Sequence, residues 1–122
     1  MKAKDIRNYS LNNIYLEEYL KKLNNNLDSF LSKYLDVIKY DKPEDIEKGL
    51  LRFKEIPRGK VFLFILPKQE ILHFHTVGMK FPIDIYFFNS NKELVSFYKN
   101  VKSGIEDISS KNPAKYVVEV PC

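Results

Sequence analysis

The apolar pattern of the chain changes from a helical period to a strand-like one at about Lys60, and this change constrains the fold most. Residues 61–66 are apolar without a break, which is typical of a central strand covered on both faces. The predicted strands are residues 61–66, 71–76, 83–88, 93–99 and 115–120. Short strands after a helical start predict an α+β protein in which an N-terminal helical element packs on a small antiparallel β-sandwich or barrel.

Residues 10–38 carry apolar side chains three and four positions apart, the spacing of an amphipathic helix. The members of this seam are Leu16, Leu20, Leu23, Leu27, Phe30, Tyr34 and Val37. Three asparagines at residues 24–26 interrupt the seam, so one continuous helix and a helical hairpin both fit the pattern. We expect the seam to pack on the β domain. The alternative is a homodimer formed through Leu16, Leu20, Leu23, Leu27 and Phe30.

The composition argues against several classes of protein. A chain of 122 residues has room for one compact domain and a helical appendage. The net charge of +4 comes from lysines interspersed with acidic residues, which indicates a solvated surface. We therefore do not favour nucleic-acid binding. We expect a cytoplasmic protein, because no apolar run is long enough to span a membrane and the basic start leads into polar residues. The bias toward Lys, Glu and Ile fits a thermophile or an AT-rich genome.

The two histidines of the chain, His73 and His75, are its sharpest chemical signal. Residues two apart on a strand point to the same face, so both imidazoles could bind one metal ion. Glu70, Asp84 or Asp107 could add a carboxylate, but the pattern identifies no third ligand. The alternative is structural, with one histidine hydrogen-bonded in the core and the other exposed. We favour the structural alternative and predict no cofactor.

Asp84 lies between two isoleucines in a predicted strand. A carboxylate in an apolar strand is either catalytic, with a raised pKa, or an acceptor for backbone N–H groups. We favour the structural role, and we expect any cleft to lie near Asp84 and the histidines. The predicted ligand-binding residues are His73, His75, Lys80 and Asp84.

Five segments that follow one another along the chain resemble a known family. They are residues 49–53, 61–66, 74–75, 81–85 and 113–121, with the sequences GLLRF, VFLFIL, FH, FPIDI and PAKYVVEVP. Residues 43–122 therefore resemble the domain of unknown function family 192, a small β domain of bacteria and archaea. The resemblance implies a β-sandwich of jelly-roll-like shape and no established activity. It leaves residues 1–42 as an accessory helix or helical hairpin.

These features predict a non-enzymatic binding module that holds a small ligand or peptide at a cleft near the two histidines. One alternative is a metal-dependent enzyme or metal-binding site that uses His73 and His75. Another is an interaction protein that dimerises through its N-terminal helix. A concave pocket without metal favours the first, convergent imidazoles with perturbed pKa values favour the second, and an exposed apolar stripe favours the third.

Overall fold

The computed structural model describes residues 26–122, in which strands make up most of the regular structure. In chain order the elements are α1 (Leu27–Leu31), β1 (Asp36–Tyr40), α2 (Pro43–Lys48), a 3₁₀ turn (Gly49–Arg52), β2 (Lys60–Glu70), β3 (His73–Phe74), β4 (Ile83–Phe88), β5 (Leu94–Val101), β6 (Ile108–Ser109) and β7 (Ala114–Pro121). The β-rich domain that the sequence predicts is confirmed. Neither helix in this part of the chain is long and apolar enough to span a membrane.

The strands form a five-stranded sheet and a two-stranded sheet. The order in the large sheet is β1-β2-β7-β4-β5, and β3 pairs with β6 in the small one. Four neighbouring pairs connect the large sheet, and three of them are antiparallel. The fourth pair is parallel, because β1 runs alongside β2 in the same direction with Val37 opposite Val61. The prediction of a purely antiparallel sheet is therefore wrong, and the large sheet is mixed.

β2 continues through a proline at which the sequence predicted its end. Pro67 has no N–H group to donate to a neighbouring strand, so it is tolerated only where the ladder does not need that donor. The pairing of β2 with β7 is interrupted between Ile65 and Glu70, and Pro67 lies within this irregular stretch. The strand therefore extends to Glu70 and leads directly toward the two histidines.

Both faces of the large sheet are buried, as the unbroken apolar run at residues 61–66 predicts. We call the face covered by the small sheet the front face. There, Phe74 of β3 packs edge-on against Phe64 and Phe87, with ring centroids 5.9 and 6.0 Å apart. The back face is covered by α1, whose Phe30 ring lies 4.7 Å from that of Tyr86. These aromatic contacts hold each covering element on its own side of the sheet.

The helix predicted to continue to residue 38 ends at Leu31 instead. Asn26 begins α1 by accepting hydrogen bonds from the N–H groups of Asp28 and Ser29, at 2.8 and 3.3 Å. Beyond the helix, the chain extends into β1, because pairing with β2 satisfies the backbone and suits the β-branched Val37 and Ile38. The heptad-like spacing of Tyr34 and Val37 thus belongs to no helix.

The seam that predicted a homodimer lies only partly within the described residues. Leu27 and Phe30 are buried on the back face of the sheet, so they pack within the domain as the first interpretation of the seam expected. Leu16, Leu20 and Leu23 lie outside the described residues. The dimer stays a prediction. Within residues 27–40, β1 joins the large sheet and α1 covers its back face.

Candidate functional site

His73 is held by a carboxylate from the neighbouring strand segment. β3 places Phe74 inward, toward the front face, and this leaves the flanking histidines exposed. The Nδ1 atom of His73 lies 2.8 Å from Oδ1 of Asp107, which immediately precedes β6. A carboxylate accepts hydrogen bonds, so the proton of this pair is assigned to Nδ1 and the ring is oriented by Asp107. Both side chains are about 60% exposed, and the pair therefore orients the ring more than it stabilises the fold.

His75 is fixed by its own backbone. Its Nδ1 atom accepts a hydrogen bond from the N–H group of Val77 at 3.2 Å. A ring nitrogen that accepts carries no proton, so the proton of neutral His75 is on Nε2. The two rings therefore use Nδ1 in opposite senses. Within the described residues, neither Nε2 atom has a hydrogen-bond partner, and both are available to a bound molecule.

The two histidines line one depression of about 270 Å³. The other lining residues are Ile46, Glu47, Leu66, Leu72 and Phe74. These come from α2, from the end of β2 and from the segment that contains β3, so the depression lies where the helix meets the small sheet. Apart from the two histidines and Glu47, its lining residues are apolar. A small apolar molecule with a hydrogen-bonding group fits this combination of size and chemistry.

A metal site is not assembled around these histidines in the described residues. Among residues 26–122 there is no group of three His, Cys, Asp or Glu side chains placed to hold a metal ion. Of the three carboxylates considered as a third ligand, only Asp107 contacts a histidine, and it bonds to the Nδ1 atom. That contact orients the ring of His73 but adds no ligand. The two histidines would bind a metal ion with only two protein ligands, whereas protein zinc sites use three or four.

Asp84 is not near the histidines, because it projects from the opposite face of the sheet. Its neighbours Ile83 and Ile85 belong to the front-face core, whereas the next residue on its own face is Tyr86 of the back-face core. The carboxylate of Asp84 accepts the backbone N–H group of Asn100 at 2.7 Å. This is the structural role that the sequence analysis favoured. Lys80 is exposed before β4 and does not line the depression either.

Lys99 and Cys122 complete the surroundings of Asp84. The ammonium group of Lys99 lies 3.0 Å from Oδ2 and also donates to the Tyr86 hydroxyl at 3.0 Å, while the Cys122 thiol donates to Oδ1 at 3.3 Å. Partial burial lowers the pKa of Lys99, but its hydrogen bonds to Tyr86 and Asp84 outweigh this and leave the pKa raised. Burial, and then the hydrogen bond to Asp84, raise the pKa of Cys122 to about 11. Asp84 is therefore the centre of a hydrogen-bonded cluster in which both of its carboxylate oxygens take part.

The sequence analysis overlooked one acidic residue, Glu119 of β7. It is 4% exposed on the front face, between Phe62 of β2 and Ile85 of β4. Its carboxyl group has no hydrogen-bond partner in the described residues, and burial raises its pKa to about 8. Strand alternation could have predicted the position of Glu119, because it places this side chain on the other face of the strand from Tyr116 and Val118.

Comparison with known proteins identifies the fold but no activity. Residues 26–122 match the sequence profile of the family described as uncharacterized ACR, domain of unknown function 192. The match includes α1 and β1, so it begins earlier than the resemblance at residue 43. No curated protein matches the chain.

Two solved structures resemble this one with a TM-score of 0.64 each. The first is described as a candidate transcription regulator from Sinorhizobium meliloti 1021 and is 22% identical over 70% of this chain and 67% of that chain. The second is a protein of unknown function from Novosphingobium aromaticivorans DSM 12444, 17% identical over 70% of this chain and 61% of that chain. At these identities the likeness is one of fold alone.

Proposed function

We propose that the chain, which belongs to the domain of unknown function family 192, is a non-enzymatic binding module. Its ligand occupies the depression beside His73 and His75. The observation that carries this proposal is the state of the two rings. Each Nδ1 atom is engaged within the chain, by Asp107 or by the Val77 N–H group, and each Nε2 atom is left free. Two pre-oriented hydrogen-bonding groups beside an apolar depression are what a small-molecule site requires.

The two neutral rings are opposite tautomers, and this defines the ligand further. Neutral His75 presents an N–H donor at Nε2, whereas neutral His73, with its proton on Nδ1, presents an acceptor. Glu47 adds a carboxylate on the helix side of the depression. A ligand that satisfies all three has an apolar body, one acceptor for His75 and at least one donor, as in an aromatic amide. A volume of about 270 Å³ suits a molecule of one or two rings.

Solvent exposure supports binding over catalysis. General acid–base catalysis is strongest where water is excluded, because a low local dielectric strengthens each electrostatic contact. The side chains of the His73–Asp107 pair are 61% and 62% exposed, so water reaches both. The same exposure suits exchange of a ligand with solution.

The binding proposal is tested by titrating ¹⁵N-labelled protein with small aromatic amides, carboxylates and amines. Aromatic amides should shift the backbone resonances of residues 72–75 and Ile46. The variants His73→Ala and His75→Ala should each weaken the same interaction about tenfold, which corresponds to roughly 1.4 kcal/mol for one hydrogen bond to an oriented group. Lys68→Ala, an exposed change on the same strand as Leu66, is the matched control and should leave affinity unchanged.

A second measurement examines the rings directly. Long-range ¹H–¹⁵N spectra at high pH should show the proton of His73 on Nδ1 and that of His75 on Nε2. Asp107→Ala should remove the preference of His73 for Nδ1 and weaken the amide interaction. Fragments that shift resonances elsewhere, or an affinity that survives both histidine variants, would rule out this site.

A jelly-roll-like arrangement of the two sheets and a homodimer are further proposals. The small sheet covers the front face through Phe74, which supports a sandwich of unequal layers. A homodimer would have to use Leu16, Leu20 and Leu23, since Leu27 and Phe30 are occupied on the back face. Light scattering of the full chain against a variant with these three leucines changed to Ser distinguishes dimer from monomer.

A further inference from the structure

Residues 105–109 are fastened to the rest of the domain at both ends. At one end, Ile105 exchanges two hydrogen bonds with the buried Thr76, at 2.9 and 3.0 Å. At the other end, the carbonyl group of Ser109 accepts a hydrogen bond from the hydroxyl group of Tyr98 in β5 at 2.8 Å. Because these contacts are made within the chain, the segment keeps its position beside β5 without a ligand.

A depression of about 260 Å³ lies between β5 and this segment. We call it the second depression, and its lining residues are Tyr98, Val101, Ile105, Asp107, Ile108 and Ser109. Three of these residues are aliphatic, and the Tyr98 hydroxyl group already donates to Ser109. Asp107 is the one charged residue in the lining. This size and this lining suit a small molecule with an apolar body and one charged group.

The carboxylate of Asp107 has one oxygen in use and one without a partner. Its Oδ1 atom lies 2.8 Å from Nδ1 of His73, whereas Oδ2 has no hydrogen-bond partner among residues 26–122. The bond to His73 orients the carboxylate before any ligand arrives. Carboxylates form their strongest hydrogen bonds with charged donors. An oriented carboxylate oxygen beside aliphatic side chains therefore selects a cation and repels an anion.

We propose that the second depression binds a small organic ammonium ion. The charged nitrogen donates to Oδ2 of Asp107, and the apolar body contacts Val101 and Ile105. The chain itself supplies no such cation in its described part, because no lysine or arginine of residues 26–122 forms an ion pair with Asp107. The Asp107 side chain is 62% exposed, so the ammonium group keeps part of its hydration when it binds.

Asp107 also connects the second depression with the depression beside the histidines. His73 lines the latter, and its Nδ1 atom donates to the carboxylate that the ammonium ion shares. A cation at Oδ2 withdraws negative charge from Oδ1 and weakens the bond to His73, so the proton of the ring moves toward Nε2. The binding of an amine therefore changes the tautomer of His73. This effect does not depend on a ligand beside the histidines, because the protein and the amine alone produce it.

The test titrates the ¹⁵N-labelled full chain with cyclohexylmethylamine at about pH 8, where ordinary alkylamines are charged and ordinary imidazoles are neutral. Cyclohexylmethanol and cyclohexanecarboxylate are the neutral and anionic counterparts of this probe. The amine should shift the amide resonances of Val101 and residues 105–109 along a saturable curve, and both counterparts should bind at least about tenfold more weakly. Long-range ¹H–¹⁵N spectra of the saturated protein should show less proton on Nδ1 of His73.

Two neighbouring acids provide a matched pair of variants. Asp107→Asn keeps the shape of the side chain, removes the charge in the lining and should weaken amine binding about tenfold. Glu106→Gln removes the same charge from an exposed residue outside the lining and should leave the affinity unchanged. Ile105→Ser keeps the charge, removes an apolar contact of a side chain that is 42% exposed, and should weaken the amine several-fold.

Three outcomes would overturn the proposal. The first is an amine titration without saturable shifts at residues 105–109. The second is an affinity that is equal in wild type and Asp107→Asn, or that falls equally in Glu106→Gln, since either result would assign the attraction to the overall surface charge. The third is a His73 proton that stays on Nδ1 in the saturated protein, which would remove the connection between the depressions. Aromatic amides that fail to bind beside the histidines would contradict only the proposed function.

Discussion

Asp84 and Glu119 lie on neighbouring strands, one residue out of register, with apolar residues on either side of each. Asp84 projects to the back face and accepts from a backbone N–H group, an ammonium and a thiol. Glu119 projects to the front face, is 4% exposed and has no partner in the described residues. Two similar acids in one sheet therefore have opposite environments.

The difference shows that the hydrogen-bonding partners of an acid, more than its apolar neighbours, determine whether the acid stabilises the fold. Desolvation disfavours the charged form of any buried carboxyl group. At Asp84 that cost is offset by donors from β5 and from the C-terminal residue, which hold the group in its place. At Glu119 no partner among residues 26–122 offsets it, so burial raises the pKa of its carboxyl group to about 8. Asp84 stabilises the fold, whereas Glu119 makes its stability depend on pH.

The largest expected effect is a loss of stability with rising pH that is due to Glu119. Its pKa is about 8 in the folded chain and about 4.5 in the unfolded chain, so the folded state holds the extra proton between these values. The contribution of Glu119 to stability is thus full below pH 4.5, falls as pH rises to 8 and is level above it. The total loss reaches at most about 5 kcal/mol, and urea titrations at several pH values measure it.

Glu119→Gln is the variant that isolates the contribution of Glu119 to this pH dependence. A glutamine has nearly the same shape and cannot ionise, so its unfolding free energy should lack the decline between pH 4.5 and 8. At pH 9 the variant should be the more stable protein. An identical decline in both proteins would assign the pH dependence to another group and break the contrast with Asp84.

The fold could be predicted from the sequence where periodicity alone decides it. The bounds of β4 and the two-sided burial of β2 follow from apolar patterns at residues 83–88 and 61–66. The helical seam failed at Tyr34 and Val37, because a spacing of three also fits a turn followed by a strand, and pairing with β2 decided between them. Local pattern could not reveal that long-range contact.

The site was predictable in part for a related reason. Alternation says which residues share a face, and it correctly put His73 and His75 together. It does not say which face of the large sheet β3 covers. That is set by the packing of Phe74 on Phe64 and Phe87, so the assignment of Asp84 to the same cleft had no physical support in the sequence.

Removing Asp84 is the second-largest expected effect. Asp84→Ala leaves the N–H group of Asn100 and the Cys122 thiol without their acceptor, and should cost about 2–3 kcal/mol of unfolding free energy. Lys99 contributes little of this, since its side chain is 54% exposed. Asp84→Asn keeps an acceptor for Asn100 and should cost about half as much. Equal costs for both variants would assign the effect to the charge instead of the backbone bond.

The reactivity of Cys122 sharpens the same contrast with a smaller effect. Its pKa of about 11 leaves little thiolate at pH 8, so iodoacetamide should react slowly with the folded protein. Asp84→Ala removes a carboxylate that raises this pKa and should speed alkylation several-fold. Lys99→Met removes a cation that lowers the pKa and should slow it. If both variants speed alkylation, the cause is exposure of the thiol, because their electrostatic effects have opposite signs.

The smallest expected effect concerns an ion pair on the surface. Lys92 lies 3.2 Å from Asp28 of α1, a distance similar to that between Lys99 and Asp84, but the two side chains are 39% and 69% exposed. Solvent screens such a pair, so Asp28→Ala should change the unfolding free energy by less than about 0.5 kcal/mol. The attachment of α1 depends instead on Phe30 and on the Leu27 N–H group, which donates to the Lys92 carbonyl at 2.8 Å. Because that bond uses the backbone of Lys92, Lys92→Ala should be equally mild. A loss above 1 kcal/mol in either variant would show that the strength of an ion pair depends more on its distance than on its exposure. The stabilising effect of Asp84 would then depend less on its partial burial.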